Sequence, residues 1–238
     1  MLKHQIIEYL LEGITYEGVI CWDDSKSGKR PAVLVAHAWF GQSDFEVQKA
    51  MDLAKMGYVA FALDMYGKGR RAKNPEEASK LMHECVDDRV KLRSRILNAL
   101  ETLKNNKLVD HSRIGGIGFC FGGRCVLDLA RTGIDIKGVA SFHGIYDQPN
   151  IEYNEPIKAS VLVLHGWDDP LATPDQTVAL GKELTKREAD WQILAMGHTG
   201  HAFTNPNASD PENGMAYEAN SDRRAWQAMD NFFQELFN

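Results

Sequence analysis

The chain has 238 residues, a formal net charge of −6, and 44% hydrophobic and 25% charged residues. This mix is typical of a soluble globular protein, and a chain of this length can bury a large core without disulfide or metal support. The acidic balance argues against nucleic-acid binding, which normally needs a basic face. The four cysteines form no CxxC pair, which excludes a thioredoxin-like redox motif and a zinc ribbon.

The sequence carries no signal for secretion or membrane insertion. The N-terminus lacks an apolar segment followed by a small-residue cleavage site. No apolar run approaches the 18 residues that a membrane helix needs. We therefore expect a cytoplasmic protein without a membrane span, in a reducing compartment where thiols stay free.

The first half of the chain predicts a hairpin followed by strands that alternate with helices. Its predicted strands are Gln5–Leu10, Ile14–Trp22, Ala32–His37 and Tyr58–Leu63. Its predicted helices are Phe45–Met56 and a segment, continuous or broken once, that runs from Asn74-Pro75 to about Lys104. Asn74 is a suitable N-cap for that segment, and Pro75 suits the first helical position.

The second half continues the alternation. Its predicted strands are 114–117, 138–142, 161–164 and 191–195, and its predicted helices are Phe121–Arg131, one that opens at Thr173-Pro174, and one from near Ser221-Asp222. Alternating strands and helices predict an α/β fold with a mostly parallel central sheet and helices on both faces. No linker or repeat divides the chain, so we expect one domain over residues 1–238.

Cys120 stands between a predicted buried strand and a helix, in the pattern G-x-C-x-G from Gly118 to Gly122. This is the pattern of a nucleophile elbow with Cys in place of Ser. The turn is so tight that side chains two positions before or after the nucleophile would collide, which explains the glycines. The helix N-terminus favours a thiolate. The alternative is a structural thiol in a Gly-rich turn, the interpretation that we prefer for Cys21, Cys85 and Cys125 as core residues.

A thiol nucleophile needs a base, and the base needs an orienting acid. In an α/β-hydrolase arrangement the acid follows the nucleophile along the chain, and the base comes last. The predicted strand at 161–164 is followed by His-Gly-Trp-Asp-Asp-Pro, in which Asp169 is the preferred acid and Asp168 its competitor. The alternative is that these residues only form the turn before Pro170.

The loop after the last predicted strand supplies the candidate base. It contains His198 and His201, and the string His-Ala-Phe-Thr-Asn-Pro that begins at His201 favours this residue as the base. We interpret His198 as a loop or supporting histidine. A zinc site built on the two histidines has no third ligand at suitable spacing, so we expect no metal and no cofactor.

Two backbone N–H groups would complete an oxyanion hole. One is that of Phe121, which directly follows the nucleophile. The other is expected in the loop after the strand 32–37, where the N–H of Trp39 is the preferred donor and that of Phe40 the alternative.

With these residues in place, the chain resembles the dienelactone hydrolase family of α/β-hydrolases. The matching stretches are AHAWFG (36–41), ALDMYGKG (62–69), GIGFCFGG (116–123), VLHGWDDP (163–170) and GHAFTNP (200–206). They follow the family order, with no cap domain inserted. The resemblance implies an α/β-hydrolase fold, a Cys120–His201–Asp169 triad, and hydrolysis of small esters or lactones.

Two positions depart from the pattern of the dienelactone enzymes. Those enzymes carry a Glu, where this chain has Ala38, that helps to activate the thiol, and an Arg, where this chain has Asn205, that holds the substrate carboxylate. The possible substitutes for that arginine are Arg70, Arg71 and Arg124, with a solvated surface role as the alternative for each. These departures favour neutral substrates over dienelactone itself.

Aromatic residues lie beside the predicted chemistry and are candidates for the pocket lining. They are Trp39, Phe40, Phe119, Phe121, Tyr66 and Trp167, with ordinary core packing as the alternative for each. We therefore predict a Cys-dependent hydrolase of small esters or lactones, acting as a monomer or homodimer on a small-molecule substrate. A phosphotriester hydrolase with the same triad and a non-catalytic binding or sensor protein are the alternative functions.

Overall fold

The computed structural model describes residues 1–153 and 155–238. The fold is α/β, with a large and mostly parallel sheet and helices. The chain forms two compact units, Met1–Ile117 and Gly118–Asn238. The single domain expected from the sequence stays a prediction, and the two units are described in turn.

The first unit begins with a long hairpin and continues with strands that alternate with helices. Its elements are β1 (Leu2–Leu11), β2 (Ile14–Asp23), β3 (Arg30–Ala36), α1 (Asp44–Lys55), β4 (Val59–Ala62), α2 (Pro75–Val86), α3 (Arg89–Lys104) and β5 (Val109–Phe119), the last of which ends in the second unit. β1 and β2 are antiparallel, β2 is antiparallel to β4, and β3 is parallel to β4. The predicted hairpin and buried strands are confirmed.

Capping side chains set the helix boundaries in this unit. Asn74 accepts the N–H of Glu77 at the start of α2, as predicted. The long predicted helix is broken between Val86 and Arg89, because the side chain of Asp88 accepts the N–H of Lys91 and starts α3.

The second unit carries a parallel part of the sheet. Its elements are α4 (Phe121–Arg131), β6 (Gly138–Phe142), β7 (Ser160–Gly166), α5 (Pro174–Lys186), β8 (Trp191–Met196), β9 (Ser209–Asp210), β10 (Met215–Ala216) and α6 (Ala219–Phe237). β6, β7 and β8 are parallel neighbours in that order. The predicted bounds of α4 and β6 agree with the structure at both ends.

Helices pack on both faces of β6. A Cβ at Gly138 would overlap the side chains of Leu236 and Phe232 on α6, and a Cβ at Gly123 on α4 would overlap Ser141. Gly138 and Ser141 are an odd number of positions apart on a strand and so point to opposite faces. The sheet is therefore sandwiched here between α4 and α6.

Two features of the second unit differ from the sequence prediction. Helix α6 begins at Ala219 rather than near Ser221, because the side chain of Glu218 accepts the N–H groups of Asn220 and Ser221 and serves as the cap. The short pair β9 and β10, antiparallel to each other, was not predicted. In the described part of the chain, no helix is long and apolar enough to cross a membrane.

The four cysteines are free thiols. Cys21, Cys85 and Cys125 are fully buried, which confirms their prediction as core residues. Burial raises the pKa of Cys21 to about 12 and also raises the pKa of Cys85. These two thiols are therefore poor nucleophiles at neutral pH.

Candidate active site

Cys120 occupies a strained turn between β5 and α4. Its φ of 55° and ψ of −114° lie outside the regions that non-glycine residues ordinarily adopt. A Cβ at Gly118 would overlap the carbonyl oxygen of Gly122, so the residues two positions before and after the nucleophile approach too closely for side chains. This is the close approach that the G-x-C-x-G pattern predicts, and it sets the thiol at the N-terminus of α4.

Replacement of Gly118 by alanine is expected to destabilise the protein by about 3 kcal/mol, because the added methyl meets backbone atoms that cannot move independently. In a thermal unfolding experiment this corresponds to a fall in Tm of roughly 6–12 °C. Gly197→Ala is the matched control, because a Cβ at Gly197 has no atom within 4 Å. A Gly118→Ala variant as stable as the Gly197→Ala variant would contradict this account of the turn.

Of the two candidate acids, Asp169 forms a hydrogen bond with His201. Its Oδ2 lies 2.8 Å from Nδ1 of His201, and its Oδ1 accepts the backbone N–H of Leu171 at 2.8 Å. Both Asp169 and His201 are buried. The competitor Asp168 is instead exposed, with its carboxylate 4.0 Å from the fully exposed His198.

A small hairpin that the sequence analysis missed holds the loop of His201. The backbone N–H of His201 donates to the carbonyl of Gly214, and the N–H of Ala216 donates back to the carbonyl of His201. A Cβ at Gly200 would overlap the carbonyl of Gly214, which explains a glycine at that point. The sequence signal for this hairpin was the pair Asn213-Gly214, a common turn dipeptide.

Cys120 and His201 influence each other's ionisation. Burial opposes the thiolate, but the charge of His201 and hydrogen bonds from His201 and from the backbone N–H of Phe121 lower the pKa of Cys120. Burial likewise opposes the imidazolium, yet Cys120 and Asp169 raise the pKa of His201 to about 10. Each group therefore favours the charged form of the other, the thiolate of Cys120 and the imidazolium of His201.

The remaining nitrogen of His201 is available for this interaction. Nε2 is buried and has no nitrogen or oxygen partner among the residues that the structure describes. Since Nδ1 is held by Asp169, Nε2 is the ring nitrogen that remains to interact with Cys120. Asp169 and His201 are joined by a hydrogen bond, and His201 and Cys120 by their mutual influence on ionisation, while the catalytic triad itself stays a prediction.

A buried chain of hydrogen bonds lies near Asp169 and was not predicted. The hydroxyl of Tyr146 is 3.1 Å from Nδ1 of His165, and the hydroxyl of Thr177 is 3.1 Å from Nε2. Burial and the charge of Asp169 raise the pKa of Tyr146, while burial lowers the pKa of His165. These groups stay neutral beside the Asp169 carboxylate. The only sequence signal for them was His165 in the string around Asp169.

The predicted site residues of the first unit form a group of their own. The rings of Trp39 and Phe40 pack edge to face, and Tyr66 donates its hydroxyl proton to the carbonyl of Trp39. Tyr66 is fully buried and its ring packs against His37, which favours the core-packing alternative, while its substrate-binding role stays a prediction. The N–H of Trp39 stays a predicted oxyanion donor, with Phe40 as the alternative.

Three aromatic candidates belong to the second unit. Phe119 is fully buried and packs on Phe142 and Trp226, which is the core-packing alternative. The ring of Phe121 is also fully buried, so its backbone rather than its side chain is the part suited to the site. Trp167 is 45% exposed and remains a candidate for contact with a substrate.

Each candidate arginine already faces a carboxylate. Arg70 forms two hydrogen bonds with Glu84, at 2.9 and 2.6 Å, and Arg71 lies 3.3 Å from the buried Asp64. Arg124 is buried, which rules out the solvated alternative for it, and it donates to Asp147 at 3.0 and 2.5 Å. The substrate-binding role of Arg70 and Arg124 stays a prediction. It would require each guanidinium to bind the substrate in addition to its carboxylate partner.

Asn205, which stands where the dienelactone enzymes have an arginine, forms hydrogen bonds within its own loop. Asn205 accepts the backbone N–H of Asn207 with its side-chain oxygen, and its own N–H donates to Ala202. The side chain therefore shapes a turn and brings no positive charge to the loop after His201.

Comparison with known proteins identifies the family. Residues 17–237 match the model of the dienelactone hydrolase family. A relative from Aquifex aeolicus (strain VF5), named "Putative carboxymethylenebutenolidase", is 29% identical over 235 residues, with 97% of each chain covered.

Two solved structures superpose on nearly the whole chain. They are m3DLH and the dienelactone hydrolase-like promiscuous phosphotriesterase P91 from metagenomic libraries, each with a TM-score of 0.94 and 36% identity over 100% of this chain and 99% of theirs. The protein is therefore a hydrolytic enzyme that belongs to the dienelactone hydrolase family of α/β-hydrolases.

Proposed function

We propose that the enzyme hydrolyses small carboxylic esters or lactones through a covalent thioester on Cys120. The observation that carries this proposal is the buried Cys120–His201–Asp169 group, in which the imidazole lowers the pKa of the thiol and the carboxylate holds the imidazole. A thiolate at a helix N-terminus, with a protonated base beside it, has both the nucleophile and the acid that ester cleavage needs.

The acylation step follows from these positions. The sulfur of Cys120 attacks the ester carbonyl carbon, and the carbonyl electron pair moves to oxygen. The backbone N–H of Phe121, which donates to the sulfur at rest, is suited to stabilise this oxyanion. The carbon–oxygen bond then breaks, and Nε2 of His201 gives its proton to the leaving alcohol. Cys120 is left as a thioester.

Deacylation runs through the same groups in reverse. Neutral His201 takes a proton from a water molecule, whose oxygen attacks the thioester carbonyl. The carbon–sulfur bond breaks, the acid product leaves and the thiolate is restored beside the imidazolium. Asp169 keeps its hydrogen bond to Nδ1 throughout and orients the ring for both steps.

Neutral substrates suit this chain better than anionic ones. The candidate arginines Arg70 and Arg124 are paired with carboxylates, and Asn205 replaces the arginine of the dienelactone enzymes. No positive charge in that set is left uncompensated to hold a substrate carboxylate. We therefore expect higher kcat/KM for a neutral aryl ester or lactone than for a lactone that carries a carboxylate.

A substrate panel tests the proposal. It comprises p-nitrophenyl acetate and butyrate, a neutral aryl lactone, a carboxylate-bearing lactone and a neutral phosphotriester. Turnover of the neutral esters and lactone supports the proposed function, and failure on every ester and lactone would overturn it.

Phosphotriester hydrolysis is the second candidate function. It is favoured by the 36% identity to a structure described as a promiscuous phosphotriesterase. Chemically, the thiolate of Cys120 would attack phosphorus in place of carbon, and the same backbone N–H would stabilise the phosphoryl oxygen. Measurable turnover of the phosphotriester in the same panel supports this activity, and turnover of esters only removes it.

The pH dependence of kcat/KM is expected to be bell-shaped. Activity rises as Cys120 loses its proton, with a midpoint below the ordinary thiol value of about 8.5, because the pKa of Cys120 is lowered. Activity falls at high pH as His201 loses the proton that the leaving group requires, with a midpoint at about 10. A rising limb centred at or above about 8.5 would contradict the proposed ion pair.

A further inference from the structure

His143 lies behind the proposed base in an unusual backbone conformation. It directly follows β6, and its φ of 37° is in the left-handed region that few bulky residues adopt. Its N–H donates to the carbonyl of Leu164 on β7 at 2.8 Å, so the turn is fixed to the neighbouring strand. Such a conformation, held in place beside a catalytic centre, suggests a functional role.

The His143 side chain contacts the elements that carry the proposed chemistry. Its ring is edge to face with that of His201, with centroids 5.1 Å apart and planes at 67°. It packs in the same way on Phe203 and lies 6.1 Å from Phe119, the residue before the nucleophile. Nε2 of His143 is 2.8 Å from the hydroxyl of Thr204, and His143 is almost fully buried.

These contacts oppose a tilt of the imidazole that would separate His201 from Cys120. The hydrogen bond to Asp169 fixes Nδ1 but still permits the imidazole to tilt about that contact. The ring of His143 stands against the imidazole, and Thr204 keeps the His143 ring from turning. His201 and Thr204 belong to one loop, so His143 also ties this loop to the end of β6.

We propose that His143 is a positioning residue, whose ring packs against His201 and keeps Nε2 aimed at the sulfur of Cys120. This inference rests on the proposed function, since it assigns a support to the same Cys120–His201 pair. Among the described residues of the second unit, Asp169 and His143 are the titratable groups that contact His201, and the charge of Asp169 raises the pKa of Tyr146 and opposes the lowering of the pKa of His165.

The test uses two substitutions of His143 that remove different interactions of its side chain. His143→Asn removes the ring but keeps a residue type that tolerates the left-handed region. His143→Phe keeps a flat ring and removes the hydrogen bond with Thr204. His198→Asn is the matched control, because His198 also has a positive φ of 56° but is fully exposed.

Three quantities are measured for each variant: kcat/KM on an aryl ester, the midpoint pH of Cys120 alkylation by iodoacetamide, and Tm. We expect His143→Asn to lower kcat/KM roughly 10–100-fold, as displacement of a catalytic group does. We expect its alkylation midpoint to rise by about one pH unit or more, a tenfold weaker preference for the thiolate. His143→Phe is expected to retain kcat/KM within about fivefold, and His198→Asn to match the unsubstituted enzyme.

Other outcomes overturn the proposal. If His143→Asn keeps the midpoint and loses only Tm, the residue is merely structural, and if His143→Phe is as impaired as His143→Asn, ring packing is not the cause. The alkylation midpoint of the unsubstituted enzyme separates this failure from a failure of the proposed function. A midpoint at the ordinary thiol value of about 8.5 overturns the proposed function itself, whereas a low midpoint that His143→Asn leaves unchanged overturns only the role of His143.

Discussion

Replacement of Cys120 by alanine is expected to lower kcat/KM for an activated aryl ester by roughly 10⁴–10⁶-fold, the range seen when one residue of a catalytic triad is removed. The substitution deletes the atom that forms the thioester, and the nearby groups offer no substitute. Cys125 is fully buried, and Asp169 and His201 are committed to each other. The residual rate would come only from substrate binding and backbone donors.

The matched control is Cys125→Ala, in the helix α4 that begins directly after Cys120. Cys125 is fully buried and has no role in the proposed chemistry. We expect this variant to lose about 1 kcal/mol of stability, as small core truncations do, and to keep kcat/KM within about threefold. Comparing the two variants separates loss of the nucleophile from loss of a buried thiol.

Acid quenching during turnover provides a direct view of the intermediate. Intact-mass spectrometry of the unsubstituted enzyme should show the mass of one acyl group, located on the peptide that contains Cys120. The adduct should be absent from Cys120→Ala and present in Cys125→Ala. Turnover by Cys120→Ala at the unsubstituted rate would contradict the thioester mechanism.

Local sequence was sufficient for the features that depend on neighbouring residues. The bounds of α4 were predicted because the G-x-C-x-G pattern stands between an apolar strand and an apolar helical segment, which a strand-to-helix turn explains. The Asn74 cap was predicted for the same reason, since the capping residue and the N–H that it accepts lie three positions apart.

Features that depend on distant contacts were beyond sequence reasoning. Two-residue strands such as β9 and β10 are too short to show periodicity, although they hold the backbone of His201. The pairing of Arg124 with Asp147, and the edge-to-face contact of His143 with His201, join residues more than 20 positions apart. A single sequence does not show which distant residues meet.

The choice between Asp168 and Asp169 as the acid also depends on contacts between distant residues. Asp168 and Asp169 are adjacent, and only the turn that donates the N–H of Asp169 to Gly166 directs one side chain inward and the other outward. The preference for Asp169 came from chain order and family resemblance. The geometry adds a physical basis, because only its carboxylate is buried against His201.

Asp169→Asn is expected to lower kcat/KM by roughly 10³–10⁴-fold while leaving the fold intact, since an amide at the orienting position selects the wrong histidine tautomer. Asparagine has the shape of aspartate and can still accept the N–H of Leu171 with its oxygen. Its amide group then faces Nδ1 of His201 as a donor. The ring must therefore carry its proton on Nε2 when neutral, where it cannot accept one from water.

The same substitution should move the alkaline limb of the pH profile. Asp169 raises the pKa of His201 both by its hydrogen bond and by its charge, so removing that charge lowers the pKa from about 10. The falling limb of kcat/KM should then shift to lower pH. Asp168→Asn is the matched control, because its carboxylate is exposed and 4.0 Å from His198. It is expected to keep activity within about twofold, and equal losses in the two variants would contradict the assignment of the acid.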